Sequence, residues 1–262
     1  MTGIEQWPKK HDVCGVKVSA TTYDEAADAI MQRAMRRESA VTSFFAVHAV
    51  MTHASDRAFL SRVNAFDIVA PDGQPVRWAL NWLHGTNLNE NVRGSEIMWR
   101  LCQRAADQGV SIYLYGGSTH ALKALETRLK QAFPKLEIAG SESPPFRALT
   151  PEEDDAVVER INNSGAGLVF IGLGCPKQDH FADAHRDRIK GVQVCVGAAF
   201  DFHAGNKKTA PEWMQKNGLE WVFRLSQEPG RLWRRYLVTN TMFVQKFLFQ
   251  FISSLRRPQP AT

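Results

Sequence analysis

Between residues 110 and 197 the chain repeats one pattern three times: a short apolar run, then a turn rich in glycine. Val110-Ser111-Ile112-Tyr113-Leu114-Tyr115 ends at Gly116-Gly117, Leu168-Val169-Phe170-Ile171 at Gly172-Leu173-Gly174, and the run over 192–196 at Gly197. Strands this uniformly apolar must be covered on both faces, as in a parallel sheet with crossover helices. The intervening stretches supply the helices. Leu122, Leu125 and Leu129 recur at helical spacing and stop near Phe133-Pro134, before a second strand over 136–139. Thr150 is an N-cap for Pro151-Glu152-Glu153-Asp154, whose acids suit the positive end of a helix running to Asn163. A further helix is predicted over 178–188. This βαβαβ alternation predicts an α/β fold, Rossmann-like, with a mainly parallel sheet flanked by helices.

The first hundred residues are less regular. They predict helices over 23–37 and 48–60, strands over 41–47 and 68–70, and a helix over 96–107. A length of 262 residues suits one large α/β domain with an appendage. The first seven residues lack the basic and apolar regions of a signal peptide. Four scattered cysteines (Cys14, Cys102, Cys175, Cys195) form no C-x-x-C pair and read as reduced thiols rather than zinc ligands.

Charge divides the chain near Gly205. From 206 to 262 there are ten Lys/Arg and three Asp/Glu, whereas the whole chain carries only +5. A catalytic α/β domain over 1–205 and a basic, amphipathic appendage over 206–262 follow from that division. The most apolar stretch, 236–255, is interrupted by Asn240, Gln245, Lys246 and Gln250, so no membrane span is expected. On a helix, Phe243, Phe247, Phe251 and Leu255 form an apolar stripe ending at Arg256-Arg257. Such a stripe suits an anionic membrane surface; packing on the core or on another subunit, as in a homo-oligomer, is the alternative.

Ligands of open α/β sheets gather at the carboxyl ends of the strands. Four loops lie there: Pro71-Asp72-Gly73, Gly116-Gly117-Ser118, the 172–179 segment, and Gly197-Ala198-Ala199-Phe200-Asp201. Any one of these turns needs glycine for structural reasons; their agreement points to a site. Gly172-Leu173-Gly174 lacks the third glycine of a dinucleotide fingerprint, and Lys177 and Gln178 at a helix start suit a diphosphate and sugar hydroxyls better. Asp72 is a turn residue by pattern, and a base or sugar-hydroxyl acceptor by position. Arg93-Gly94-Ser95 neutralises a phosphate or forms a surface ion pair.

Asp72-Gly73, Arg93-Gly94-Ser95, Gly116-Gly117, Phe133-Pro134, Gly172-Leu173-Gly174-x-Pro176-Lys177-Gln178-Asp179, Phe200-Asp201-x-x-Ala204-Gly205, Ala210-Pro211-x-Trp213, Gly218-Leu219-Glu220-Trp221 and Glu228-Pro229-x-Arg231 occur in that order. Together they resemble the WecG/TagA/CpsF glycosyltransferases (glycosyltransferase family 26) over roughly 13–236. The resemblance implies transfer of one sugar, with inversion, from a UDP-sugar to a polyprenyl-diphosphate-linked saccharide in cell-surface or exopolysaccharide synthesis. It places the enzyme in the cytoplasm, peripheral on the inner membrane face, with no nucleic-acid partner. It implies Asp72 as general base and no cofactor or strict metal requirement. It also implies substrate contacts from Arg93, Gln178 and Asp201, and diphosphate contacts from Arg224, Arg231 and Arg234. Lys177, Gly117, Gly174 and His48 complete the candidate site. Where the family carries Thr-x-Asn, this chain reads Phe44-Phe45-Ala46-Val47-His48 and keeps only the histidine. Relatives use N-acetylmannosamine, its uronic acid or glucose, and the altered element points to glucose. The usual Arg-Ala-Pro is Thr209-Ala210-Pro211, with Lys207 and Lys208 as replacement charges. No Asp-x-Asp pair is present to hold a metal on the diphosphate, and arginine forks meet that need. The competing readings are an NAD-dependent oxidoreductase on the same fold and a non-catalytic peripheral membrane- or nucleic-acid-binding protein.

Overall fold

The computed structural model describes residues 6–255. It opens with a hairpin, β1 (Lys10–Val13) and β2 (Val16–Ser19), that the sequence reading did not include. Four-residue strands are too short for their alternation to stand out. In α1 (Tyr23–Arg36) a capping box closes the first turn: Thr22 Oγ1 accepts from the Glu25 N–H and the Glu25 carboxylate accepts from the Thr22 N–H. There follow β3 (Ala40–Phe45), α2 (Val47–Ser55), α3 (Leu60–Asn64), β4 (Ile68–Pro71), α4 (Gln74–His84) and α5 (Gly94–Gln108). The strand predicted over 41–47 thus stops at Phe45. The helix predicted over 48–60 breaks at Asp56, whose carboxylate accepts from the Phe59 N–H instead. Helix α4 was not predicted.

The regular half contains β5 (Ile112–Gly116), α6 (Thr119–Ala132), β6 (Ile138–Glu142), α7 (Pro151–Asn163), β7 (Leu168–Gly172), α8 (Lys177–Ala184), β8 (Val192–Cys195) and α9 (Ala199–Ala204). Thr150 caps α7 with a second capping box. The strand predicted over 136–139 lies two residues later, and α8 ends at Ala184 rather than 188. The chain finishes with α10 (Glu212–Lys216), α11 (Glu220–Gln227) and α12 (Pro229–Leu255).

Six strands form one parallel sheet in the order β4-β3-β8-β7-β5-β6. Their side chains alternate between two cores. Ile112, Leu114, Leu168, Phe170, Val192 and Val194 face α1, α5, α6 and α9. Tyr113, Tyr115, Val169, Ile171 and Cys195 face α2, α4, α7 and α8. The connection leaving β5 runs to β6, whereas that leaving β7 runs the other way, to β8. The loops therefore part above β5 and β7, which opens a crevice there.

Helix α12 corrects one expectation. Phe243 is only 6% exposed and belongs to the core shared with Val13, Val16 and Val18, while Phe247 packs on the Trp82 ring with centroids 5.7 Å apart. This part of the stripe read as membrane-facing packs on the protein, because α2, α4 and the hairpin offer an uncovered apolar surface. Farther along, Gln250 Oε1 accepts from the Cys14 N–H at 2.7 Å, and its Nε2 donates to the Asp12 carbonyl at 3.0 Å. The opposite side of α12 leaves Trp233, Leu237, Val244, Leu248, Ile252 and Leu255 exposed. Arg256-Arg257 lie outside the described residues. No helix among the described residues is long and apolar enough to cross a membrane.

Candidate active site

Asp72 stands at the carboxyl end of β4. Its N–H donates to the Phe45 carbonyl at 3.0 Å, and the neighbouring Pro71 carbonyl accepts from the Val92 N–H at 2.9 Å, which brings the start of α5 alongside. The Asp72 carboxylate accepts from the Gly94 N–H at 3.3 Å. Arg93 is oriented by Tyr23, whose hydroxyl oxygen accepts from the Arg93 N–H at 3.0 Å and from Nε at 3.5 Å. From the C-terminal segment come Glu220 and Arg224, four residues apart on one helix face and paired at 2.5 Å. The Arg224 guanidinium also lies 5.0 Å from the centre of the Phe202 ring.

Burial, and next the charge of Glu220, push the Asp72 carboxyl up to about 6, against the pull of Arg224, the Gly94 N–H and Arg93. Burial disfavours the Arg224 cation, but Glu220 and Asp72 more than offset this and raise its pKa. The group therefore combines a carboxylate poised near neutrality with two held cations.

The second part lies in the crevice above β5, β7 and β8. A cavity of about 160 Å³ is lined by Gly117, Gly172, Leu173, Gly174, Gly197, Ala198, Phe200 and Asp201. It depends on close backbone approach. A Cβ on Gly116, whose φ is +125°, would stand 2.6 Å from the Gly172 carbonyl carbon, and one on Gly172 would stand 2.5 Å from the Phe200 ring. Asp201 at the rim is 3.6 Å from Lys207, which also lies 3.2 Å from Glu228. Three strand spacings, about 14 Å, separate β4 from β7, so the two parts suit an elongated ligand.

The other predicted residues fall in different settings. Gln178 is buried: its Oε1 accepts from the Gly174 N–H at 3.2 Å and its Nε2 donates to the Cys195 carbonyl at 3.4 Å, so it braces two strand ends. Lys177 is exposed at the start of α8. His48 sits half-buried in the first turn of α2 with Thr52 Oγ1 3.4 Å from its Nδ1. Burial, then Arg235 and His53, lower its pKa to about 4. Arg231 pairs with Glu228, and Arg234 stands exposed with its guanidinium 5.1 Å from the Trp233 ring centre.

Sequence reasoning gave no role to Glu220, although its i,i+4 spacing to Arg224 is a legible ion-pair signal. It also missed Tyr23, whose hydroxyl meets Arg93 across 70 positions, and the surroundings of Asp179. That carboxylate is fully buried; it accepts from Ser43 Oγ at 2.8 Å and pairs with His53 Nε2 at 3.0 Å. Asp179, His53 and Cys175 form the one group among the described residues whose potential metal-ligand atoms lie within 4.8 Å of one another. Burial, and then Asp179, push the Cys175 thiol well above its ordinary range. An internal network accounts for the group, because a buried carboxylate must be paired.

A comparison with protein families bears on this arrangement. The model described as the glycosyl transferase WecG/TagA/CpsF family matches residues 11–257, nearly the whole chain.

Proposed function

The chain belongs to the WecG/TagA/CpsF glycosyltransferases of cell-surface polysaccharide synthesis, and from that premise we propose that it moves one sugar from a UDP-sugar onto a polyprenyl-diphosphate-linked saccharide, with Asp72 as general base. The observation that carries the proposal is the Asp72 carboxyl, at a strand end, with its pKa raised to about 6 beside Arg93 and Arg224. A base works best when its pKa lies near the working pH.

In this mechanism the acceptor hydroxyl approaches Asp72, which takes its proton as the oxygen attacks the anomeric carbon from the face opposite the UDP. The configuration inverts, and the bond to the diphosphate breaks. Negative charge then grows on the leaving diphosphate. Arg93 and Arg224 meet it, with Arg231 and Arg234 from the start of α12 joining when substrate is present. The cavity at Gly117, Gly174 and Asp201 receives the nucleotide part. Gln178 acts there by holding the Gly174 turn. With arginines meeting the diphosphate charge, turnover proceeds in the presence of a chelator. Glucose is the proposed donor sugar because the Thr-x-Asn element is replaced by Phe44-Phe45-Ala46. The exposed apolar side of α12, beside its basic first turns, is the proposed contact with the inner membrane face.

The test is Asp72→Asn, assayed with a panel of UDP-sugars and a lipid-diphosphate-sugar acceptor. Loss of kcat by roughly 10²–10⁴-fold, with the fold intact, is the expected result. Near-parental turnover would remove Asp72 from the role of base.

A further inference from the structure

At the rim of the cavity lined by Gly117, Gly174 and Asp201, the end of α9 turns sharply. Gly205, with φ +80°, caps the helix, and the Asp201 carbonyl accepts from the N–H groups of both Asn206 (2.9 Å) and Lys207 (3.3 Å). This turn sets the Lys207 ammonium 3.6 Å from the Asp201 carboxylate, which lines the cavity. The same ammonium reaches the C-terminal segment, where it stands 3.2 Å from one oxygen of Glu228. The other oxygen of Glu228 pairs with Arg231 in the first turn of α12. Charges of alternating sign thus run from the cavity to α12: Asp201, Lys207, Glu228, Arg231.

The four side chains are 34–52% exposed, and ion pairs in such settings contribute little to stability. They are correspondingly easy to exchange. The hydrogen bond from Arg231 foremost, with Lys207 adding to it, lowers the Glu228 pKa, so Glu228 is a carboxylate at neutral pH. It is therefore a single anion holding two cations beside the cavity. A diphosphate carries more negative charge than one carboxylate and accepts more hydrogen bonds, so it competes well for both. Lys207 also offsets the charge of Asp201, which would otherwise repel an entering diphosphate. We infer that Lys207 is a further contact for the diphosphate of the nucleotide sugar, and that Glu228 is a resident anion that yields Lys207 and Arg231 to this diphosphate when it enters. The inference rests on the reading of the cavity as the nucleotide site given above.

The experiment measures the binding of UDP and of uridine, by calorimetry, to the full chain and to its Lys207→Gln and Glu228→Gln variants. Lys207→Gln should weaken UDP roughly ten-fold, the worth of one hydrogen bond to a charged group, and leave uridine at its parental affinity. Glu228→Gln should act in the opposite sense and tighten UDP by up to about five-fold, because an exposed ion pair no longer has to be given up. In the Lys207→Gln background that gain should shrink, since one of the two cations Glu228 holds is gone. Melting temperatures should stay near parental. Parental UDP affinity in Lys207→Gln would overturn the inference. So would a loss that extends to uridine with a lower melting temperature, which would give Lys207 a structural role only. An equal loss in Lys208→Gln, which removes the same charge from the exposed neighbour, would reduce the effect to net charge and overturn it too. A gain from Glu228→Gln of one size in both backgrounds would end the role of Glu228 as resident anion. A parent chain that binds neither UDP nor uridine is a separate result, which removes the nucleotide reading of the cavity and the inference with it.

Discussion

The raised pKa of Asp72 has two consequences of opposite sense. Activity needs the carboxylate, so kcat/KM should climb as pH rises through about 6 and then level off. Asp72→Asn should lose that acid limb. Stability runs the other way. The folded chain holds this proton more tightly than the unfolded chain, so the contribution of Asp72 is fully present below its ordinary 3.8 and is lost as pH rises through 6. Asp72→Asn should therefore melt above the parent at pH 7–8 and converge with it below about pH 4, as thermal denaturation across pH would reveal. Glu220 raises the Asp72 pKa, so Glu220→Gln should move the acid limb of the rate profile to lower pH. A limb at the parental pH would mean that Glu220 serves only to hold Arg224. Of this group, Asp72, Arg93 and Arg224 were legible because motifs carry them. Tyr23 was not, since its hydroxyl meets Arg93 from 70 positions away.

Among the elements, uniformly apolar strands such as Leu168–Gly172 and capped helices such as Pro151–Asn163 were readable because local chemistry decides them. Helix α12 shows where that reading stops. Its periodicity announces an apolar side but cannot say which surface covers it, and α12 has apolar residues on two sides. Phe243 and Phe247 point to the core side, while Leu237, Val244 and Leu248 stay exposed. A chain ending at Leu237 is therefore expected to lose stability, because removing Phe243 uncovers the core around Val13 and Val18. A large aromatic taken from a core typically costs about 3–5 kcal/mol. An unchanged melting temperature in that truncated chain would show that α12 is dispensable to the core.

At the scale of the whole molecule, the membrane proposal becomes a question about a surface that can be altered without touching the core. Leu237 and Leu248 are 62% and 48% exposed. The double substitution Leu237→Ser, Leu248→Ser should weaken sedimentation with anionic vesicles and slow use of a lipid-linked acceptor, while the melting temperature and turnover of a soluble acceptor analogue stay near parental. Vesicle binding that survives both changes, at low and high salt, would assign this side of α12 another role.

The pairing of Gln250 with Asp12 and Cys14 makes the polypeptide nearly a ring, since residues 236 and 238 positions apart share hydrogen bonds. Chain order is then incidental to the architecture. The segments around Asp12 and Gln250 touch directly, so a rewired chain could be joined through described residues near that contact. New ends could be opened in the exposed loop at Phe146, between β6 and α7, where no strand or helix would be cut. The residues around Asp72 and Glu220, now 148 positions apart, would keep their places in such a rewired chain. Their proximity comes from how the layers stack, whatever point the chain starts from.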